Sequence, residues 1–381
     1  MSIKEVFSQD KAISLLQRAL AAQKVPHSYI FAGPEGVGRF KTALEWAKVL
    51  LCKDRIQSPR PDIRTSGAES FDSCGQCESC RLFVSGAHPD FHHVYKELQP
   101  YTRQGKGKPP PVQLPIDVIR EFLIEKISAK PIVSNAKVFV VSEAEKLNNA
   151  SQNALLKVLE EPAGNSFIIL ICTRLDKLLP TTQSRCQIVR FGPIEEQRII
   201  EKLNTLGCDK SQALYWSRFS QGSLGMAMIW AKLDGEEGAV YRFKKELIER
   251  LAGYTLADAL DFAEWIVNSA KRFSSELADI QKDTSKTDIN RVVLKNIIRM
   301  ISAAFSDAMK VAGGISAELV NSDQARLINK LSEKFDTDSA AQKVEKTYKS
   351  MGWVDANVNE KLIIEELLLN LVNPDTIRFW G

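Results

Sequence analysis

Residues 27–51 read HSYIFAGPEGVGRFKTALEWAKVLL. Tyr29-Ile30-Phe31 is a short apolar run leading straight into a glycine turn, the pattern of a buried strand. Gly33, Gly36 and Gly38 follow in a tight loop, and from Phe40 to Leu51 apolar residues recur at helical spacing. In a strand–glycine loop–helix unit, backbone N–H groups at the helix N-terminus cradle phosphates. Gly33 and Gly38 satisfy the glycines of G-x-x-x-x-G, but the next two positions break the pattern. A competent P-loop continues with Lys, which contacts the β/γ-phosphates, and then Ser or Thr, whose hydroxyl holds Mg²⁺. This chain has Arg39 and Phe40. Guanidinium can still meet a phosphate, whereas a phenyl ring offers a metal no oxygen. Lys41 and Thr42 are no substitute, because a two-residue shift rotates a helix position by about 200°.

A second segment repeats the message. Val138-Phe139-Val140-Val141 is a continuous apolar run of the kind buried in parallel sheets. In a P-loop ATPase such a strand ends in an Asp that orders Mg²⁺; here Ser142 stands there. Glu143 sits where a water-activating Glu would be, with no metal-ordering partner to act beside. Two metal-handling positions are therefore lost in separate segments. Phe167–Cys172 and Ile188–Phe191 complete a predicted four-strand parallel sheet, with Thr173 at the tip of the third strand. Helices are expected over 9–22, 116–126 and 148–162.

Seven cysteines occur, three of them as Cys74-x2-Cys77-x2-Cys80. Tetrahedral Zn²⁺ takes four N/S ligands, and Cys52, returned by the intervening polar loop, is the natural fourth. His88, His92 and His93 are rivals for that place, although His88-Pro89-Asp90 reads as a turn. A ferredoxin-type cluster would need cysteine at position 84, where Val84 stands. No open catalytic ligand set accompanies the cysteines, so the expected zinc is structural. Clustered thiols in a chain without a disulfide framework suit a reducing cytoplasm.

The 381 residues allow two or three domains. A net charge of +4 is too small to argue nucleic-acid binding by itself. No run of about 18 apolar residues suggests a transmembrane helix, and residues 1–10 lack a signal-peptide core, so no membrane association is expected. Residues 99–115 form a basic Pro/Gly-rich loop, read as a solvated insertion. His27 lacks a paired carboxylate or nucleophile nearby in sequence and reads as structural. Trp353 and Trp380 read as packing residues.

Taken together, His27–Phe31, the cysteine module, Asn153-Ala154-Leu155-Leu156-Lys157 with Glu160-Glu161-Pro162, and Ser184-Arg185-Cys186 resemble bacterial DNA polymerase III clamp-loader subunits of the AAA+ class. The similarity runs over roughly the first 230 residues. It implies an AAA+ P-loop parallel sheet domain over 1–192 with the zinc module inserted at 52–80, a small helical lid over 193–233, and an all-α collar over 234–381. The hydrolysing members keep Lys-Thr, the Asp and a lid Arg. This chain has Arg39-Phe40, Ser142 and Gly225, so the resemblance is to a non-hydrolysing member.

The resemblance further implies a degenerate nucleotide site at Gly33, Gly36, Gly38, Arg39 and Thr173, with ATP not hydrolysed by this chain. It gives Arg185, beside Ser184, the role of an arginine finger acting in trans. Guanidinium is always charged and suits the spreading γ-phosphate charge. The implied partners are motor subunits (gamma/tau), the delta subunit, the sliding clamp and, through the complex, primer-template DNA. The implied enzymatic association is with DNA-directed DNA polymerase. Three alternatives stand beside these readings: an active ATPase using Arg39 and Glu143, a zinc-containing DNA-binding adaptor with a relic P-loop, and an Arg185 that only pairs with a local carboxylate.

Overall fold

The computed structural model describes residues 3, 6–59, 69–106, 111–235, 238–282, 284–315 and 317–371. Residues 107–110 of the basic loop, and Trp380, lie outside them. The chain combines a parallel α/β sheet, entered through the glycine loop, with an all-α C-terminal region. It divides into two compact units, residues 1–198 with 222–225, and residues 199–221 with 226–381.

In the first unit the helix α1 (Asp10–Ala21) precedes strand β1 (Ser28–Ala32), and helix α2 (Arg39–Leu51) follows it. Next come β2 (Ile56–Pro59), β3 (Glu69–Asp72), helix α3 (Glu78–Val84), β4 (Phe91–Val94), β5 (Lys137–Val141), β6 (Ser166–Cys172) and β7 (Gln187–Arg190). The main sheet is wholly parallel, in the order β4-β5-β6-β1-β7. Every residue of β1, β5 and β6 is buried, because helices cover both faces of a parallel sheet.

Alternation divides these residues between two cores. Tyr29, Phe31, Val138, Val140, Ile169 and Ile171 pack on one face with Trp46 of α2 and Leu16 of α1. Ile30, Phe139, Val141, Ile168 and Leu170 pack on the other with Val118, Leu123 and Leu155. The glycine loop leaves the carboxyl end of β1, where neighbouring strands come from distant parts of the sequence. Ligands of open α/β sheets bind at such switch points.

Three expectations need amendment. The sheet has a fifth strand, β4, whose His92 and His93 interrupt the apolar pattern; His92 stacks on Phe139 of β5 at 4.7 Å. The polar stretch after Cys52 contains the antiparallel pair β2–β3. The predicted helix over 116–126 runs from Ile116 to Ile127 but passes through a π-turn at Arg120–Ile124.

The second unit is helical, including Lys210–Phe219, Ala239–Gly253, Ala259–Ile280, Lys286–Ala312, Thr337–Asp355 and Glu360–Leu371. The longest helix buries Val293, Ile297, Ile301 and Phe305. Ser285 caps its start by accepting the Asp288 N–H, satisfying one of the donors a helix leaves open. Within this unit Lys244 is fully buried, paired to Asp323 at 2.6 Å and set 4.3 Å over the Tyr215 ring.

Candidate functional site

Gly36 (φ 73°) and Gly38 (φ 100°) place the glycine loop in backbone conformations that side chains disfavour. A Cβ at Gly33 would lie 2.4 Å from the Phe191 carbonyl oxygen. The loop therefore has the shape of a phosphate cradle, but the side chains around it are turned on one another. Arg39 is 7% exposed, and its Nε donates to the Pro34 carbonyl at 3.1 Å. Burial pulls its guanidinium below the ordinary value, opposed by the nearby Glu145. Thr42 Oγ1 donates to the Gly38 carbonyl at 2.8 Å, within its own helix.

Phe40 lies 4.9 Å from the His93 ring, and His93 Nε2 bonds Ser142 Oγ at 2.8 Å. The two positions that would handle a metal are thus joined through a histidine on β4. Burial pushes His93 down to about 4, so the imidazole is neutral at pH 7.

Glu143 has a left-handed backbone (φ 52°) and pairs with Lys146 and, at 3.9 Å, with Lys96. Thr173 Oγ1 donates to Glu145. Gly225 donates its N–H to the Gly36 carbonyl at 2.8 Å, and a Cβ on it would stand 2.8 Å from Gly36 Cα. Gln9, which no sequence motif marks, is 5% exposed and ties the Val37 carbonyl to that of Gly192.

At the other end of α2, Cys52 meets Cys74, Cys77 and Cys80; the four Sγ atoms lie within 4.8 Å of one another. Sulfur pairs stand at 3.6 Å (Cys52–Cys74), 3.9 Å (Cys52–Cys77) and 3.9 Å (Cys74–Cys80). Four thiolates at the usual zinc–sulfur length around one tetrahedral ion would be about 3.8 Å apart. The residues therefore fit a metal.

Backbone N–H groups also point at the sulfurs: Cys74 to Cys52 at 3.3 Å, Cys77 to Cys74 at 3.3 Å and Cys80 to Cys77 at 3.5 Å. At Cys77 burial opposes ionisation, but the N–H groups of Cys80 and Lys53 outweigh it and draw the thiol down to about 6. Burial pushes Cys52 and Cys80 up.

The three histidines weighed as ligands are engaged elsewhere. His88 Nε2 bonds Ser79 Oγ at 2.9 Å and Ser134 Oγ at 3.2 Å, and both hydroxyls donate to the Leu51 carbonyl. Asp90, fully buried, accepts the N–H groups of Ile132, Val133 and Ser134.

Arg185 does pair locally. Its Nε donates to Glu160 Oε2 at 2.9 Å and its Nη1 to the Thr181 carbonyl at 3.1 Å. Ser184 Oγ donates to the same carbonyl at 3.1 Å. Burial pushes the Cys186 thiol up to about 12, as suits a packing residue. His27 Nδ1 meets the Ser166 carbonyl at 3.2 Å, and its ring stacks on Phe167. In the basic loop, Arg103 is held by Glu125 at 2.8 Å. Among the described residues no helix is long and apolar enough to cross a membrane.

Comparison with known proteins follows the same division of the chain. The family described as "DNA polymerase III, delta subunit" matches residues 8–195, and "DNA polymerase III, delta subunit, C terminal" matches residues 268–373. The DNA polymerase III subunit delta' of Bacillus subtilis is 30% identical over 195 residues, 51% of this chain and 51% of that one. That of Pseudomonas aeruginosa is 36% identical over 160 residues, 42% of this chain and 41% of its own length. Subunit tau of Bacillus subtilis is 29% identical over 203 residues, 53% of this chain and 31% of its own. The chain spans about half or less of the length of these relatives.

Proposed function

Because the chain belongs to the delta-prime-like clamp-loader subunits of DNA polymerase III, we propose that it is a non-hydrolysing subunit that offers Arg185 to the ATP of an adjoining motor subunit. The observation that most supports the reading is the Phe40–His93–Ser142 cluster, which puts an aromatic ring and a neutral imidazole where a nucleotide-bound Mg²⁺ would need oxygen ligands. Arg39 is buried with its Nε bound to Pro34, and Glu143 is paired with two lysines rather than standing ready to activate water.

At Arg185 the two bonds use Nε and Nη1, and neither uses Nη2. That terminal nitrogen is the part of the guanidinium suited to stabilise charge spreading over a neighbour's γ-phosphate. The partners are then gamma/tau motor subunits and the delta subunit. Together they load the sliding clamp on primer-template DNA in the cytoplasm, as part of the DNA-directed DNA polymerase holoenzyme. Helices between 193 and 233 serve as lid, and those from 234 onward as the collar that holds the ring.

Cys52, Cys74, Cys77 and Cys80 hold a structural Zn²⁺, which would cross-link the end of α2 to the segment around α3. Metal analysis should find about one zinc per chain, lost in Cys77→Ser.

The decisive measurement is ATP hydrolysis. The isolated chain should show no appreciable turnover. Assembled with motor and delta subunits on DNA, it should support hydrolysis that Arg185→Ala cuts by about 10³. An unchanged rate in that variant, or Mg²⁺-dependent turnover by the chain alone, rejects the reading.

A further inference from the structure

We propose that Glu160 is the positioning residue for Arg185, aiming the guanidinium that the proposed function places against a neighbour's nucleotide; the inference rests on that reading. Glu160 ends the helix Asn149–Glu160, and Arg185 follows the short helix Pro180–Gln183. Gln152, 1% exposed, binds these two segments together. Its Oε1 accepts the Leu179 N–H at 2.7 Å, and its Nε2 donates to the carbonyls of Leu147 and Lys177. The backbones carrying the pair are thus fixed by a buried amide, and only the two side chains remain to be set.

The guanidinium is held on two sides, by the Glu160 carboxylate at Nε and the Thr181 carbonyl at Nη1. A planar fork restrained at both positions cannot rotate about its last torsions without losing one bond. The Glu160 side chain is 59% exposed and that of Arg185 is 32% exposed. An ion pair so open to water contributes little to folding, so fold stability does not account for the arrangement. What the pair does supply is orientation in advance of assembly, and a group that meets a transition state already oriented avoids the ordering cost at that moment. The effect therefore belongs in kcat rather than in KM or in the melting of the subunit.

The test is a double-mutant cycle in the reconstituted complex with DNA. It reads kcat and KM for ATP, co-purification of the subunits, and Tm of the isolated chain. Glu160→Ala should lower kcat by about fivefold, the upper end of what an exposed pair is worth. The loss should not exceed about a hundredfold, the cost of an ångström's misplacement. KM, assembly and Tm should stay unchanged. Glu160→Gln keeps an oxygen acceptor at the same reach and should recover most of the loss. In an Arg185→Ala background, Glu160→Ala should add nothing, since a residue acting through another has no effect once that other is gone.

An unchanged kcat in Glu160→Ala overturns the proposal, and so does an equal loss in the Arg185→Ala background. A rise in kcat would mean that the carboxylate restrains the finger rather than aims it, and overturns it too. If Arg185→Ala itself leaves kcat unaltered, the arginine-finger reading falls first and this inference with it. A full effect of Arg185→Ala with an inert Glu160→Ala sinks this inference alone.

Discussion

The glycine loop and the cysteine module lie at opposite ends of α2 and treat their polar side chains in opposite ways. At the N-terminal end, Arg39 binds Pro34, Thr42 binds Gly38, and Phe40 and Ser142 share His93. Each group finds its partner inside the chain. At the C-terminal end, four sulfurs converge on one point, and backbone N–H groups of Cys74, Cys77 and Cys80 point at them. Four thiolates there would carry more negative charge than the nearby Arg55 guanidinium could balance. A buried polar cluster that satisfies itself is part of the fold, whereas one whose donors all face a common centre asks for an ion.

The largest effect that could break this contrast is metal removal. Structural zinc in small modules is worth on the order of 10 kcal/mol of binding free energy. Cys80→Ser or a strong chelator should therefore abolish stoichiometric zinc and expose 53–80 to limited proteolysis while the main sheet survives. Equal protease resistance with and without metal would show that the module stands by its hydrogen bonds alone.

Next in size is Asp90→Ala. It strands three backbone N–H groups at a fully buried position, at a cost of about 3 kcal/mol or more, readable by urea unfolding. A smaller loss would mean that water enters the 132–134 turn.

At the glycine-loop end, Gly225→Ala drives a methyl into Gly36 and should cost about 1–3 kcal/mol. A silent substitution would show that the contact yields.

The smallest effect is with pH. Burial pushes the folded-state pKa of His93 from the usual 6.5 down to about 4, so the unfolded chain binds the proton more readily. Stability from this group is complete above about pH 6.5 and falls as pH drops toward 4, by about 1–2 kcal/mol after allowing for partial exposure. His93→Gln should flatten that part of the acid limb of a Tm-against-pH profile; an unchanged limb would place the sensitivity elsewhere, at His92 for one.

Much of this was legible in the sequence, for physical reasons that also mark where reading stopped. β1, β5 and β6 are unbroken apolar runs because both faces of a parallel sheet are covered. The cysteine spacing declared its own convergence, since three thiols within seven residues can reach one ion whatever the surroundings. β4 stayed hidden because FHHV carries two imidazoles, and its strand character depends on pairing with β5. The hairpin β2–β3 is short and polar, and it has no periodicity to find.

The departures from the P-loop pattern at Phe40 and Ser142 were visible one residue at a time. Their union through His93 was not, because that histidine lies 49 positions from Ser142 and no motif links them. Gln9 likewise carries no signal beyond its place before α1. Glu160 was visible as part of a motif, but its hold on Arg185 arises only where the fold brings residues 25 positions apart together.

The backbone contact between Gly36 and Gly225 bears on what position 225 can hold. An arginine at position 225 would have to carry a β-carbon into space that Gly36 already fills. Any side chain at 225 therefore requires the crest of the glycine loop to move first. The contact ties the two positions together: what excludes a side chain at 225 is main chain, so the glycine at one position constrains the backbone path at the other.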